Sequence, residues 1–300
     1  MPQFDFYLLS KSFQYQENTP LDILRQRIEN MADDCDMMRI NGDKIYKNSS
    51  IYEVLIYKDM KIQDIIWPNT EILSRDQRNA LQKIIDRSHE TNLDDAAIIE
   101  RLPLHNQDSV SGIVSLHRID DINNRYLVYD KNDWYVFHRY FLGVYPISEQ
   151  FFYQKCVKYY PKIYFHERVI GSLSTFDGGF LSFVEITVKC LTALNDELHK
   201  HISNNIPLAL KAFSSASGIE TTNEGNVNRK IAFTFKFPYS NQENQEKKKE
   251  KAICCEPHMK ISQSDNSSDN HFYHNRIYFH FPHSEICENK ILVGHIGKHL

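Results

Sequence analysis

No glycine-rich phosphate loop, no zinc-finger cysteine spacing and no strained nucleophile turn occurs anywhere in the 300 residues. The motif-borne routes to nucleotide hydrolysis, zinc binding and serine-hydrolase chemistry are therefore closed. The six cysteines, at 35, 156, 190, 254, 255 and 287, form no C-x-x-C pair. They read as reduced thiols serving as small core side chains, with Cys254 and Cys255 facing opposite ways on a strand. No stretch approaches the roughly 18 consecutive apolar residues of a membrane span. The N-terminus, MPQFDFYLLSKSF, has no basic flank leading into an apolar segment. These absences predict a cytoplasmic protein with no membrane partner.

A conspicuous basic face is lacking too, since the formal net charge is −4. It is unevenly spread: residues 1–135 carry 23 acids against 16 Lys and Arg, and residues 136–300 carry 16 against 19. Half of the 14 histidines follow residue 257. An anionic ligand would dock on the back half, but the excess is too small for extended duplex DNA.

What is present is a large core. With 41% hydrophobic and 12% aromatic residues the chain can fill one big domain or two ordinary ones. The patterning predicts an α+β protein. A small N-terminal α+β module (1–135) precedes a C-terminal domain (136–300), in which a central long helix packs on a largely antiparallel sheet.

Along the chain, Phe4 to Leu9 reads as an opening strand. Thr19-Pro20 starts a helix whose Leu21, Leu24, Ile28 and Met31 face the core, to about Ala32. Asn41-Gly42 marks a hairpin turn, with Lys44 to Tyr57 returning as one or two strands. Ser74 and Gln77 form a capping box for a helix lined by Leu81, Ile84 and Ile85. Tyr126 to Tyr140 has strand composition, broken at Lys131-Asn132-Asp133. Ser148 to Tyr160 reads as a helix stopped by Pro161. The clearest helix runs from Phe180 to His199, with Glu185/Lys189 and Asp196/Lys200 as outer pairs. Pro207 to Ser217 is a shorter helix ended by Gly218. Ile231 to Phe237 alternates as a strand, and Asn241–Lys251 and Ser262–Asn270 read as solvated loops.

The last 50 residues concentrate the chemistry. In the run Ile253–Ile261, alternation puts Glu256, His258 and Lys260 on one face; in Phe272–Phe281 it gathers Arg276, Tyr278 and His280. In Lys290–Leu300, His295 ends an otherwise apolar face of Ile291 and Val293. Gly294 and Gly297 mark a bulge or a close approach, and would let His295, Lys298 and His299 turn out of the sheet.

Phosphodiester cleavage needs a base for a hydroxyl, an acid for the leaving oxygen and cations on phosphate. Glu256, His258, His280 and His295 are the catalytic candidates, and Lys260, Arg276 and Tyr278 the substrate-binding ones, with Tyr278 stacking on a base or donating to phosphate. The reaction needs no cofactor, or else a divalent metal ion held by Glu256, His258 and His280 or His295, with Asp177 as a candidate extra ligand. The expected function is a nuclease-like phosphodiester hydrolase acting on RNA rather than DNA, of bacterial toxin or antiviral defence type. The alternative is a non-catalytic sensor or interaction subunit that binds a protein partner or nucleic acid.

Overall fold

Apolar residues at Phe4, Phe6 and Leu8 place the first strand, β1 (Gln3–Leu8), at the centre of the first sheet, where it is buried along nearly its whole length. The computed structural model describes residues 2–17, 19–67, 71–224, 227–239, 249–261, 275–284 and 286–300. Helix and strand are both abundant, in several sheets. Two compact units, Met1–His138 and Arg139–Leu300, divide within the helix Lys131–Val144.

In the first unit β1 is followed by α1 (Ser10–Phe13), α2 (Leu21–Ile40) and β2 (Lys44–Lys47). A two-stranded ribbon, β3 (Leu55–Tyr57) and β4 (Met60–Lys61), leads into α3 (Ile62–Ile66), α4 (Arg75–Asp86) and β5 (His89–Glu90). Then come α5 (Asp95–Arg101), β6 (Ser109–Val114), β7 (Leu127–Val128) and α6 (Lys131–Val144). The main sheet has the order β5-β2-β1-β6-β7 with every pair parallel. The strands step outward on one side of β1 and resume on the other at β6, which is the doubly wound arrangement with its switch point between β1 and β6.

The hairpin expected at Asn41-Gly42 is not formed. Helix α2 continues to Ile40, burying Met31, Ala32, Cys35 and Met38, and Asn41 then closes it, its Nδ2 donating to Met37 O at 2.7 Å. Gly42 follows at φ 90°. A helix stop and a tight hairpin both call for residues that tolerate positive φ, so the dipeptide alone does not choose between them.

The strand composition of Tyr126–Tyr140 is likewise overridden. Only Leu127–Val128 pair as strand, and α6 begins at Lys131, the position read as a turn. Trp134, Phe137, His138 and Phe141 recur at helical spacing and are all buried. The Phe137 ring lies 4.9 Å from Phe6, and Trp134 Nε1 donates to Asp43 at 2.7 Å, with His138 Nε2 3.2 Å from the same carboxylate oxygen. Local signals do hold elsewhere: the Ser74/Gln77 capping box is made in both directions, at 3.2 and 3.0 Å.

The second unit contains α7 (Glu149–Tyr159), β8 (Ile163–Phe165), α8 (Arg168–Leu173), α9 (Val184–Glu197) and α10 (Ile206–Ser217). The strands β9 (Thr221–Thr222), β10 (Thr234–Tyr239), β11 (Lys249–Cys254), β12 (His258–Ile261), β13 (Asn275–His280) and β14 (Ile291–Lys298) follow. Ser148 caps α7, and Gly218 ends α10 at φ 68°. The long helix is shorter than its sequence period suggests, because Phe180–Phe183 and Leu198–His201 are 3-10 turns at its two ends. Lys200 pairs with Glu197, and Asp196 with Arg139.

The sheet order is β8-β14-β13-β12-β9, with only β8/β14 parallel. Helix α8 packs along β14 and α9 against β12. The hairpin β10/β11 covers the other side, where Phe233, Phe235, Phe237 and Ile253 cluster with Tyr278 and Leu292. Strand β10 starts at Thr234, since Val227–Phe233 is a 3-10 segment that leaves Ile231 exposed. Lys249–Lys251, read as loop, belong to β11. Residues 241–248 and the loop Ser262–Asn270 lie outside the described residues, as do Phe272, Tyr273 and His274.

A bulge between β13 and β14 decides which side chains reach that covered side. Tyr278 pairs with His295 but Phe279 pairs with Val293, so Gly294 is the extra residue. A Cβ there would meet the Phe235 ring at 2.4 Å. Gly294→Ala should therefore cost about 2 kcal/mol, because the ring must leave its place in a packed core. Urea unfolding at unchanged slope would measure this, and a variant as stable as the parent would refute the close-packed bulge. Among the described residues no helix is long and apolar enough to cross a membrane.

Candidate functional site

The run Ile253–Ile261 is two strands in two sheets. Strand β11 ends at Cys254, Pro257 interrupts the ladder, and β12 begins at His258. Glu256 therefore lies in the connection and does not share a strand face with His258 and Lys260. The seven candidates divide into a covered row and a pair in a cleft.

In the row, His258, Tyr278 and His295 are direct neighbours across β12, β13 and β14, with ring centroids 5.2 and 5.8 Å apart. One step along, Lys260 faces Arg276, which faces Gly297. The bulge moves His295 off the face of Ile291 and Val293 and onto that of Tyr278. It does not turn out of the sheet: it is buried, and Nε2 donates to Lys298 O at 2.7 Å.

The row is lidded. Tyr278 is fully buried and stacks on Phe233 at 5.0 Å, and burial, with the Glu224 carboxylate adding to it, pushes the phenol up to about 12. Its hydroxyl finds no hydrogen-bond partner among the described residues, although the Leu300 backbone is close enough to act on it. Glu224 also reaches the row, 3.6 Å from His299 Nε2. Arg229 Nη2 lies 3.3 Å from His299 Nδ1, and because a guanidinium only donates, this fixes the ring proton on Nε2, facing Glu224. Burial lowers Arg276, and Lys260 is paired with Glu220.

His258 is a structural histidine in this setting. Its Nδ1 donates to Glu256 O at 3.3 Å, so Nε2 must accept from the Thr222 hydroxyl at 3.2 Å. Burial lowers its pKa to about 4. An unfolded histidine titrates near 6.5, so between roughly pH 4 and 6.5 the unfolded chain holds a proton that the native ring refuses. Stability from this residue is complete above that window and is lost as pH falls through it, to the extent of about 2 kcal/mol by pH 4.5. The difference in unfolding free energy between the parent and His258→Gln should track that window, and a difference independent of pH would sink the assignment.

Glu256 and His280 line one cleft of about 500 Å³. Ile202, Ile206, Ile253, Pro257 and Phe281 give it apolar walls, and Ser203, Asn204, Asn223 and Cys254 add polar groups. His280 Nδ1 donates to Phe281 O at 2.6 Å, which leaves Nε2 as the lone-pair nitrogen. Burial lowers its pKa, so the ring is neutral near pH 7. The His283 ring lies 6.4 Å from it, centroid to centroid, with Lys251 Nζ 3.3 Å from His283 Nε2.

The covered row and the cleft are separated by a thin wall. Asn223 lines the cleft while Glu224 turns to the row, and the Glu224 amide hydrogen-bonds Glu256 O at 3.3 Å. Glu224, Arg229, Asn204 and Asn223 carried no signal in sequence, since they fall in polar stretches without period. The metal set of Glu256, His258 and His280 or His295 is divided by that wall, and among the described residues no three His, Cys, Asp or Glu side chains come together to hold an ion. Asp177 is tied through its backbone to the Asn275 side chain.

In the first unit the strand ends at the switch point are already satisfied. The amides of Ser10 and Lys11 donate to Asp95 at 3.0 and 2.9 Å, so a carboxylate of the chain itself sits where doubly wound sheets hold an anion. Arg27 closes the loops beyond β6 and β7 through Leu116 O, Ser115 O and Tyr129 O. No family model matches the chain, nor does any curated protein or solved structure.

Proposed function

We propose that the second unit is a phosphodiester hydrolase of RNA that works in the Glu256/His280 cleft. The observation that carries this reading is the His280 ring, neutral and held in one tautomer by Phe281 O, in a cavity that Glu256 also lines and that is large enough for a nucleotide. In the reaction His280 Nε2 takes the proton of a ribose 2′ hydroxyl, whose oxygen bonds to phosphorus. The bond to the 5′ oxygen breaks, and water in the cleft protonates the oxygen that leaves. Lys251, whose Nζ lies 3.3 Å from Nε2 of His283, the ring next to His280, is the cation proposed to meet the phosphate charge.

Purified protein is expected to cleave labelled RNA but not DNA, to leave a 2′,3′-cyclic end, and to be indifferent to EDTA. Neither cleavage nor salt-sensitive binding of RNA would reject the reading. A toxin or defence setting is tested by the growth of cells expressing the parent or its His280→Ala variant. The second reading, a non-catalytic interaction subunit, draws on Ile202, Ile206 and Leu208, which stand exposed at or near the cleft. Stable co-purification of another protein without RNA cleavage would favour it.

A further inference from the structure

We infer that the same cleft is a nucleobase pocket, in which the carboxamides of Asn204 and Asn223 read the edge of a base whose faces lie between aliphatic and ring side chains. The inference rests on the hydrolase reading above and adds the part of the substrate that is recognised.

A nucleobase is a flat heterocycle with two apolar faces and an edge of alternating donors and acceptors. A site for it needs apolar walls, little charge, and side chains that donate and accept at once. The cleft has this composition. Ile202, Ile206 and Pro257 supply the aliphatic surface, and Phe281 supplies an aromatic one. Asn204 and Asn223 are exposed, and neither carboxamide takes part in a side-chain hydrogen bond among the described residues. Each offers a carbonyl acceptor and an amino donor, the pairing that suits a base edge and that a lone hydroxyl or cation cannot match.

Position agrees with composition. Asn223 directly precedes Glu224, whose amide donates to Glu256 O in the wall, and His280, the base of the proposed reaction, lines the same cavity. A nucleoside seated with its base against Asn204 and Asn223 would have its ribose within the cavity that holds His280. At about 500 Å³ the cleft admits a base with its sugar. The covered row cannot serve in this way, because Tyr278 is already stacked on Phe233 and has no face to offer.

The test is equilibrium binding of the full chain to AMP, CMP, GMP, UMP and ribose 5-phosphate, with adenosine, cytidine, guanosine and uridine as phosphate-free probes. At least one nucleoside monophosphate should bind about tenfold more tightly than ribose 5-phosphate, the scale of one stacked base. The double variant Asn204→Ala/Asn223→Ala should lose that advantage while its thermal midpoint is kept. Equal affinity for ribose 5-phosphate and all four monophosphates, or a double variant that binds as the parent does, overturns the inference. The two readings fail separately. RNA cleavage without base discrimination leaves the hydrolase and removes the pocket. Nucleoside binding that Asn204→Ala/Asn223→Ala abolishes, in a protein that cleaves nothing, keeps the pocket and removes the hydrolase.

Discussion

RNA turnover should fall by about 10²–10⁴-fold on His280→Ala, the usual worth of a positioned general base. The loss follows from one nitrogen. Phe281 O accepts from Nδ1 at 2.6 Å, so Nε2 carries the lone pair, and burial keeps it unprotonated below the ordinary histidine range. The acid limb of the pH–rate profile should accordingly lie below the roughly 6.5 of a free imidazole. His280→Gln keeps polarity without basicity and should be as inactive, while added imidazole should restore part of the alanine variant's activity through the cavity it leaves. His258→Gln is the control that separates chemistry from folding. With both of its ring nitrogens already bonded, His258 is expected to change stability and its pH dependence, but not turnover per folded molecule. Unchanged cleavage by His280→Ala, or cleavage lost with His258→Gln in fully folded protein, would remove the cleft from the mechanism.

The candidate site was legible in sequence as a collection of side chains and illegible as a place. Caps were readable where their partners lie within one turn, as at Ser74/Gln77 and Gly218, but not at Thr19-Pro20, where Pro20 itself takes the cap position without a side-chain bond. Asn41-Gly42 was not, because the conformation it supplies serves a helix end and a hairpin equally, and only the parallel pairing of Lys44–Lys47 with β1 decides. Tyr126–Tyr140 failed because its aromatic residues favour strands in isolation but here bury a helical stripe. In the last 50 residues strict alternation holds on β12 and β13 and breaks on β14. One unpaired glycine moves His295 from the Val293 face to the Tyr278 face, and nothing in the local pattern says that Gly294 is skipped. Pro257 was the readable warning that Glu256 does not continue the strand. Glu224 and Arg229 are brought to the row by the chain path, from a stretch with no period at all. Alternation along β12 and β13 does bring His258, Lys260, Arg276 and Tyr278 into adjacent register, whereas the interruption at Pro257 takes Glu256 out of it and the bulge brings His295 in.

The second unit should lose about 3 kcal/mol of stability on Arg139→Ala, because one buried guanidinium is taken from a carbonyl, a carboxylate and a ring at once. The Arg139 side chain is only 5% exposed. Its Nε donates to Tyr159 O at 2.9 Å, the last carbonyl of α7, and Nη1 donates to Asp196 at 2.8 Å, in the last turn of α9. The guanidinium lies 4.6 Å over the Tyr160 ring. One side chain thus ties the ends of two helices, and its removal leaves a buried carbonyl without its donor. Asp196 is 39% exposed, so water recovers part of its charge, and the pair itself is worth less than the whole loss. Asp196→Asn should therefore cost about 1 kcal/mol, and a double-mutant cycle should assign most of the arginine's effect to Tyr159 O and the Tyr160 face. Arg139→Lys should recover little, because an ammonium cannot reach both acceptors from one stem or lie flat on the ring. Urea unfolding of the three variants separates these contributions. An alanine variant as stable as the parent, or a lysine variant that restores full stability, would show that the two helix ends are held by packing alone.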